Sequence, residues 1–515
     1  MTREKFIRWL ISPFTNKPFL FVYLTLLIAF IEIYNSICSF NISFLIQITF
    51  FDSLIAYIIT LIYNIISHKL LKNTYLYATV IVIIFMHTIN HITNSILNMN
   101  FSAEIATIIA ETNKYEIKEF ICNFIDLSHI LFVIIIIFTT VTSIFLIKKY
   151  DKSHLSPKLV YILLVFPFLG IGAYINHPTF LNYTFIGTLL ECRYVFKETP
   201  NIVLTLNKSD INTLGDQPQN IVLIIGESYV KSHSSLYGYK YNTSPLLKKL
   251  LDNDEIIIYD SVVSPATNTN EVFTHIMTKS DTNNVLKWNE SVSIPELANT
   301  VYYDTYWISN QNEKGLYDNI SSRFASLCKN KYFSDNTYKA WDKKNYDEII
   351  LPYVFQVSDK SNDKKFIIIH LMGQHFDFKT RHPESFDQFN PKQYTHLPEH
   401  QRAVVASYDN ATLYNDYVVS NIISLFKDQE AIIIYTSDHS LDLYSSSPEY
   451  FGYAKANSLE SYHAATEIPF IIYASEKYKL TYADRYEDLK KRKNKPFNTD
   501  NLIYIIMDIM NVNFK

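Results

Sequence analysis

Five long apolar stretches fill the first third of the chain, and they constrain its fold more than any other feature. A helix needs about 20 mostly apolar residues to cross a bilayer. The stretch around 132–138 is apolar on every face, which suits lipid better than the one-sided core helix of a soluble protein. The sequence therefore predicts an α-helical membrane domain over residues 1–176, with five transmembrane helices at about 18–38, 42–66, 74–97, 128–148 and 158–176.

The basic residues next to these stretches predict the orientation of the chain in the membrane. Lys and Arg concentrate in the cytoplasmic loops of membrane proteins. They occur before the first span, between the second and third, and between the fourth and fifth, whereas the loop at about 98–127 is acidic. We therefore expect a multi-pass membrane protein with a cytoplasmic N-terminus and a region after residue 176 on the outer, periplasmic side.

Beyond the spans, the pattern predicts a linker at 177–217 and an α/β catalytic domain at 218–515. Short apolar runs alternate with amphipathic helical stretches, which is typical of a mainly parallel sheet covered by helices on both faces. The clearest predicted strands are Asn220–Ile225, Glu255–Tyr259, Tyr302–Ile308, Lys365–His370, Ala431–Thr436 and Pro469–Ala474.

Polar residues that could bind a metal follow three of these strands. Glu227 follows the first, His370 ends the fourth and His375 follows it, and Asp438-His439 follows the fifth. Ligands bind at the carboxyl ends of the strands in such sheets. Each residue alone could be a helix cap or a packed core side chain, but together they predict a zinc site with oxygen and nitrogen ligands and an open position.

A hydroxyl nucleophile for this site is predicted between Ser264 and Glu271. This segment follows a strand and precedes a helix, whose N-terminus favours an incoming phosphate. Thr267 and Thr269 are both candidates on physical grounds. The same segment could also be an ordinary capped turn.

The net charge and the cysteine spacing argue against a nucleic-acid site and a zinc-thiolate site. The net charge of -4 and the lack of a long basic run give no reason to expect a nucleic-acid partner. The four cysteines show no CxxC spacing, which argues against a zinc-thiolate centre.

An ordered set of motifs runs from residue 226 to residue 470. The motifs are Gly226-Glu227-Ser228, Leu236–Tyr239, Asn242–Pro245, His370–His375, Tyr408–Thr412, Thr436–His439 and Glu467–Phe470. They resemble those of the bacterial phosphoethanolamine transferases, which belong to the alkaline phosphatase and sulfatase superfamily. That family also has five N-terminal spans and an outer-surface helix that starts with Thr-Asn, as at Thr112-Asn113 here, so the resemblance covers nearly the whole chain.

The resemblance implies roles for individual residues. Glu227, Asp438 and His439 fall on the family's zinc ligands, and Thr269 falls on its nucleophile, which also contacts the metal. His370 matches a histidine that assists the phosphoryl group.

The other site residues implied by the resemblance contact the substrate or concern a second metal. Asn310 and Lys314 match a pair that contacts the substrate phosphate, and His375 matches a histidine implicated in a second zinc. Where lipid A-modifying members have a later His-Gly, this chain has Phe451-Gly452, and His463 is the only later histidine. One zinc ion is therefore expected, and a second, with His375 and His463, is left open.

The segment before the nucleophile favours one branch of the family. Lipid A-modifying members have a Cys-Gly and several disulfides, whereas this chain has Pro265-Ala266 and no cysteine pairs. In this respect it is more similar to the branch that modifies core saccharides.

The resemblance implies transfer of phosphoethanolamine from phosphatidylethanolamine to lipopolysaccharide, at a core sugar or lipid A, or to a related envelope glycan. The group would pass through a phosphothreonine-type intermediate, and the partners would be these two substrates and membrane lipid. The alternatives are a phosphoglycerol transferase of the same superfamily and an inactive membrane scaffold. A sulfatase activity is disfavoured because the formylglycine sequence is missing near 264–271.

Overall fold

The structure is a computed structural model, and it divides the chain into two compact units, Met1–Glu198 and Thr199–Lys515. The described residues are 3–30, 42–97, 117–118, 120–121, 125–150, 156–176, 201–282, 286–313, 320–334, 346–360, 364–448, 450–453 and 458–515. The predicted outer-surface helix with Thr112 and Asn113 lies almost entirely outside these residues. The domain boundaries at 176 and 218 stay predictions.

The first unit is helical in its described parts. Its helices are α1 (Arg3–Leu10), α2 (Ser12–Thr15), α3 (Pro18–Ile28), α4 (Ile42–Ile65), α5 (Lys69–Leu97), α6 (Leu127–Tyr150) and α7 (Pro157–Asn176). Among the described residues, two helical segments are long and apolar enough to cross a membrane, Lys69–Ile96 and Leu127–Lys149. They correspond to the third and fourth predicted spans, and the other three spans stay predictions.

The second unit is built on a seven-stranded mixed sheet. The strands of the unit are β1 (Ile211–Thr213), β2 (Asn220–Gly226), β3 (Ile256–Ile258), β4 (Val262–Val263), β5 (Asp304–Ser309), β6 (Asn330–Phe333), β7 (Lys365–His370), β8 (Ala431–Ser437), β9 (Asp442–Leu443), β10 (Phe451–Gly452), β11 (Phe470–Ala474), β12 (Phe497–Asn498) and β13 (Val512–Phe514). The strand order of the seven-stranded sheet is β3-β11-β8-β2-β7-β5-β6. The neighbours from β8 to β6 pair in parallel, and β11 is antiparallel to both of its neighbours.

Helices cover both faces of this sheet. Successive β2 side chains point to opposite faces, and the two sets join different apolar clusters: Ile221, Leu223 and Ile225 pack in one, Val222 and Ile224 in the other. Burial on both faces explains why the central strands are continuous apolar runs. The helices are α8 (Pro245–Asp252), α9 (Thr269–Ile276), α10 (Ile294–Thr300), α11 (Ile320–Ala325), α12 (Leu351–Ser358), α13 (Glu399–Phe426), α14 (Leu459–Thr466), α15 (Glu476–Thr481), α16 (Ala483–Arg492) and α17 (Leu502–Met510).

The described part of the predicted linker, 201–217, is held by the second unit. Strand β1 pairs with β13 near the end of the chain. The carboxylate of Glu296 also accepts hydrogen bonds from the backbone N–H groups of Thr205 and Leu206. This segment therefore packs along the second unit, and its role as a linker stays a prediction.

Candidate active site

Three predicted zinc ligands converge at the carboxyl ends of β2 and β8. Glu227, Asp438 and His439 each offer a ligand atom, these atoms lie within 4.8 Å of one another, and all three residues are buried. Nε2 of His439 lies 3.3 Å from Oε1 of Glu227 and 3.4 Å from Oδ2 of Asp438. The two parallel strands are in register, so residues that follow them are brought side by side.

The backbone around Glu227 is shaped to hold its carboxylate. Ser228 has a positive φ of 57°, and its hydroxyl donates to Oε1 of Glu227 at 2.7 Å. Gly373, with φ 50°, lies against the backbone of Glu227, where a Cβ would come within 2.8 Å of the Glu227 nitrogen. Only glycine fits such a close approach, so the loop after β7 can pack directly on the backbone of Glu227.

The orientation of His439 leaves one ring nitrogen for a metal. Its Nδ1 lies 2.8 Å from the backbone oxygen of Ser440. That carbonyl can only accept, so Nδ1 carries a hydrogen, and Nε2, which faces the two carboxylates, is the ring nitrogen that could bind a metal after losing its own proton. A hydrogen bond of this kind fixes the tautomer of metal-binding histidines.

The electrostatics of the triad fit a bound cation. Burial raises the pKa of Glu227, but the hydrogen bond and charge of His439 outweigh it and the net shift is downward. Burial and the nearby Glu227 raise the pKa of Asp438 to about 7, whereas the two carboxylates raise the pKa of His439 to about 9 against the effect of burial. Oδ2 of Asp438 is buried with no hydrogen-bond donor among the described residues. Two buried carboxylates thus share one imidazole, and a divalent ion would supply the missing positive charge.

Thr269 is the hydroxyl that reaches this triad. It is the first residue of α9, which Asn268 caps by accepting a hydrogen bond from the N–H of Glu271 at 3.0 Å. Oγ1 of Thr269 donates to Oε2 of Glu227 at 3.1 Å and lies 3.4 Å from Nε2 of His439. The described contacts to the triad involve Thr269 and not Thr267, although both were open on physical grounds.

The two predicted histidines after β7 differ in exposure. His370 is fully buried, with its ring 4.9 Å from that of Phe273 and 6.1 Å from that of Trp307. Burial lowers the pKa of His370 to about 4. His375 is half-buried, and its Nδ1 lies 2.6 Å from the backbone oxygen of Phe376. A phosphoryl contact by either residue stays a prediction.

The remaining predicted site residues are scattered or lie outside the described residues. Lys314 is outside them. Asn310 is buried, and its amide nitrogen donates to Asp347 at 2.8 Å while its oxygen accepts from the hydroxyl of Ser334. His463 lies exposed on α14, and neither it nor His375 belongs to the metal-binding triad found among the described residues. A second metal therefore stays a prediction.

Phe451, which the sequence comparison left in place of a possible metal-binding histidine, packs against aromatic side chains. Its ring centroid lies 5.9 Å from that of Phe376 and 5.4 Å from that of Tyr444. The residue is half-buried on the short strand β10.

Two residues near the site were missed by the sequence reasoning. Gln311 donates through Nε2 to Oε2 of Glu227 at 3.2 Å. Buried Asp347 accepts hydrogen bonds from Asn310 and from the backbone N–H groups of Met372 and Gly373. The only sequence signal for Gln311 was its place three residues after a predicted strand, and no signal marked Asp347.

Comparison with known proteins identifies the class to which this fold and site belong. The sulfatase family model matches residues 219–512, which is more than half of the chain, and the chain belongs to the sulfatase family. Within that family, its relatives carry the name phosphoethanolamine transferase, which confirms the resemblance drawn from the motifs.

Three of these relatives show how far the similarity extends. Phosphoethanolamine transferase EptC of Escherichia coli K12 is 25% identical over 451 residues, which cover 81% of this chain and 77% of the relative. CptA of Salmonella typhimurium is 26% identical with the same coverage. EptA of Helicobacter pylori is 29% identical over 392 residues, covering 72% of this chain and 71% of the relative.

Two solved structures support the fold. The zinc complex of the C-terminal periplasmic domain of Escherichia coli EptC is 26% identical, with a TM-score of 0.54, and the match covers 62% of this chain and 87% of that one. Integral membrane EptA of Neisseria meningitidis has a TM-score of 0.67 over 96% of this chain and 95% of its own, at 16% identity. The second match shows the fold alone, and it extends over almost the whole chain.

Proposed function

We propose that this chain is a zinc-dependent phosphoethanolamine transferase of the bacterial inner membrane. Five spans anchor it, the N-terminus is cytoplasmic, and the catalytic unit is periplasmic. The observation that carries the proposal is the position of the Thr269 hydroxyl, in contact with both Glu227 and His439. The names of the relatives and the zinc complex of Escherichia coli EptC support the transferred group and the metal.

Glu227, Asp438 and His439, together with Thr269, would hold one zinc ion. When bound, zinc supplies a Lewis-acid charge that lowers the pKa of a nearby hydroxyl and offsets negative charge on phosphoryl oxygens. A second ion at His375 and His463 is a separate question, because these two residues lie apart from the described triad.

Thr269 acts as the nucleophile. Its hydroxyl proton points to Oε2 of Glu227, which is placed to accept it. Oγ1 then bonds to the phosphorus of phosphatidylethanolamine while the bond from phosphorus to the glycerol oxygen breaks. The glycerol oxygen takes this proton back from Glu227 and diacylglycerol leaves, so that Glu227 is again a carboxylate and phosphoethanolamine remains esterified to Thr269.

An acceptor hydroxyl completes the transfer by a second displacement. It passes its proton to Glu227 and bonds to the phosphorus, the bond from phosphorus to Oγ1 of Thr269 breaks, and Oγ1 takes the proton from Glu227 to restore the hydroxyl. The N-terminus of α9 favours the negative charge of the phosphoryl group in both steps, and His370, His375, Asn310 and Lys314 are the residues proposed to assist. The acceptor is lipopolysaccharide, at a core sugar or lipid A, or a related envelope glycan.

Release of diacylglycerol tests the proposal and its nearest alternative together. The full-length protein is reconstituted in vesicles that contain phosphatidylethanolamine and phosphatidylglycerol with acyl chains of different mass. We expect diacylglycerol with the acyl chains of phosphatidylethanolamine, formed with zinc and not after chelation. Diacylglycerol from phosphatidylglycerol alone would indicate a phosphoglycerol transferase, and none from the zinc-loaded protein would indicate an inactive scaffold.

A further inference from the structure

Gln311 connects three neighbouring strand ends of the central sheet. It follows β5, and its side-chain Nε2 donates to the backbone oxygen of Leu371 after β7, at 3.1 Å. The same nitrogen donates to Oε2 of Glu227 after β2, at 3.2 Å. Since β2, β7 and β5 are adjacent in the sheet, the side chain reaches across one strand to the next.

The two hydrogen bonds use the chemistry of a primary amide. An amide nitrogen carries two hydrogens in one plane, and here one hydrogen is available for each acceptor. The backbone N–H of Gln311 is itself fixed by the hydroxyl of Ser309 at 3.0 Å. Hydrogen bonds therefore hold both the backbone and the side-chain amide of Gln311. The side-chain amide directs one N–H at the carboxylate of Glu227.

Oε2 of Glu227 has two described donors, the hydroxyl of Thr269 and the amide of Gln311. The Thr269 hydrogen is lost when its oxygen bonds to phosphorus. From that point the Gln311 amide is the donor that still fixes the position of Oε2. A carboxylate held in one rotamer binds a metal with less loss of side-chain entropy.

We propose that Gln311 is a positioning residue for Glu227, which keeps the carboxylate oriented for the metal before and after the phosphoryl group is attached to Thr269. This inference rests on the zinc site of the proposed function. It assigns no contact between Gln311 and the substrate.

Zinc affinity of the full-length protein in detergent tests the inference. The dissociation constant is measured by competition with a chelator for the wild type, for Gln311→Leu and for Gln311→Asn. Leucine has a similar size but no hydrogen-bond donor. Asparagine keeps the amide on a side chain that is one methylene shorter. Two variants are used so that the test survives if one of them fails to fold. Asn312→Leu, at the next position in the same loop, is the matched control.

We expect both Gln311 variants to bind zinc about 10- to 100-fold more weakly than the wild type, and Asn312→Leu to bind it normally. At saturating zinc, we expect kcat to fall for the Gln311 variants while KM for phosphatidylethanolamine stays close to the wild-type value. Zinc binding by both Gln311 variants within about threefold of the wild type, against the loss expected for such residues, would overturn the inference. Failure of the wild type itself to bind zinc would instead overturn the proposed function.

Discussion

The hydroxyl of Thr269 donates a hydrogen bond to Oε2 of Glu227 across 3.1 Å, although 42 positions separate the two residues in the chain. One residue begins helix α9 and the other follows strand β2. The contact places a hydroxyl against a buried carboxylate of the triad that could hold a metal.

Asp438→Asn is expected to weaken zinc binding without lowering the stability of the zinc-free protein. It removes one of two neighbouring buried carboxylate charges, so the zinc-free variant should be at least as stable as the zinc-free wild type. The rise in melting temperature on adding zinc should shrink, because the site loses a ligand charge. Thermal unfolding with zinc and with a chelator measures both effects.

Asp442→Asn is the matched control for this experiment. Asp442 is another buried aspartate after β8, but its partners include Ser461 and the backbone N–H of Ser445. This variant should keep the zinc-dependent rise. The same rise in Asp438→Asn as in the wild type would show that Asp438 does not bind the metal.

Gly373→Ala is expected to destabilise the protein and weaken zinc binding. An alanine Cβ would lie 2.8 Å from the backbone nitrogen of Glu227, in addition to the strain of a positive φ. Gly238→Ala isolates that strain, because Gly238 also has a positive φ but no heavy atom lies within 4 Å of the place that an alanine Cβ would take. Gly373→Ala should cost at least about 1 kcal/mol more in the free energy of unfolding than Gly238→Ala. Equal costs in denaturant unfolding would refute the close packing of this loop on Glu227.

Asp347→Ala is expected to loosen two loops of the site at once. It removes the acceptor of the backbone N–H groups of Met372 and Gly373 and one hydrogen bond of the Asn310 amide. Loss of these buried hydrogen bonds should lower the free energy of unfolding by about 3 kcal/mol, and transfer activity should fall with it. Exposed Asp359→Ala serves as the control, and a similarly small effect of both changes would mean that Asp347 does not organise the loops.

His370→Phe is expected to make the protein more resistant to acid. The folded-state pKa of His370 is about 4, below its ordinary value of 6.5, so its neutral form favours folding above pH 6.5 and that stability is lost as the pH falls towards 4. The loss reaches about 3 kcal/mol for a fully buried group. Melting temperatures measured with a chelator from pH 7.5 to about 4 should fall less in His370→Phe than in the wild type.

His463→Gln, a change at an exposed histidine, should keep the acid sensitivity of the wild type. Identical pH profiles for His370→Phe and the wild type would show that His370 does not resist protonation. Transfer activity of the same variant near neutral pH addresses the predicted phosphoryl contact separately.

The catalytic unit could be predicted from its sequence to a large extent. The central apolar runs are strands because both faces of the sheet are buried, and the polar residues directly after them mark the edge where the triad forms. The reversed direction of β11 was not predicted, since an apolar run does not encode its direction. Gln311 was missed because its contact depends on the spatial order β2-β7-β5, whereas the chain order separates Gln311 from Glu227 by 84 positions.

The five predicted spans and the predicted phosphate contact of Asn310 compare with the structure as follows. Helices occur in the described parts of all five predicted spans, but two of them meet the length and hydropathy expected of a spanning helix. Asn310 was predicted to contact phosphate together with Lys314. Its amide instead donates to Asp347 in this structure, and a phosphate contact would need that bond to be shared or exchanged.

Mass spectrometry of the protein after incubation with phosphatidylethanolamine tests whether Thr269 is the nucleophile that carries phosphoethanolamine. Zinc-loaded full-length protein and its Thr269→Ala variant are digested and compared without an acceptor present. We expect a phosphoethanolamine adduct on Thr269 together with released diacylglycerol, and neither product in the variant. Diacylglycerol release without an adduct on Thr269, or an undiminished release by Thr269→Ala, would show that Thr269 is not the nucleophile.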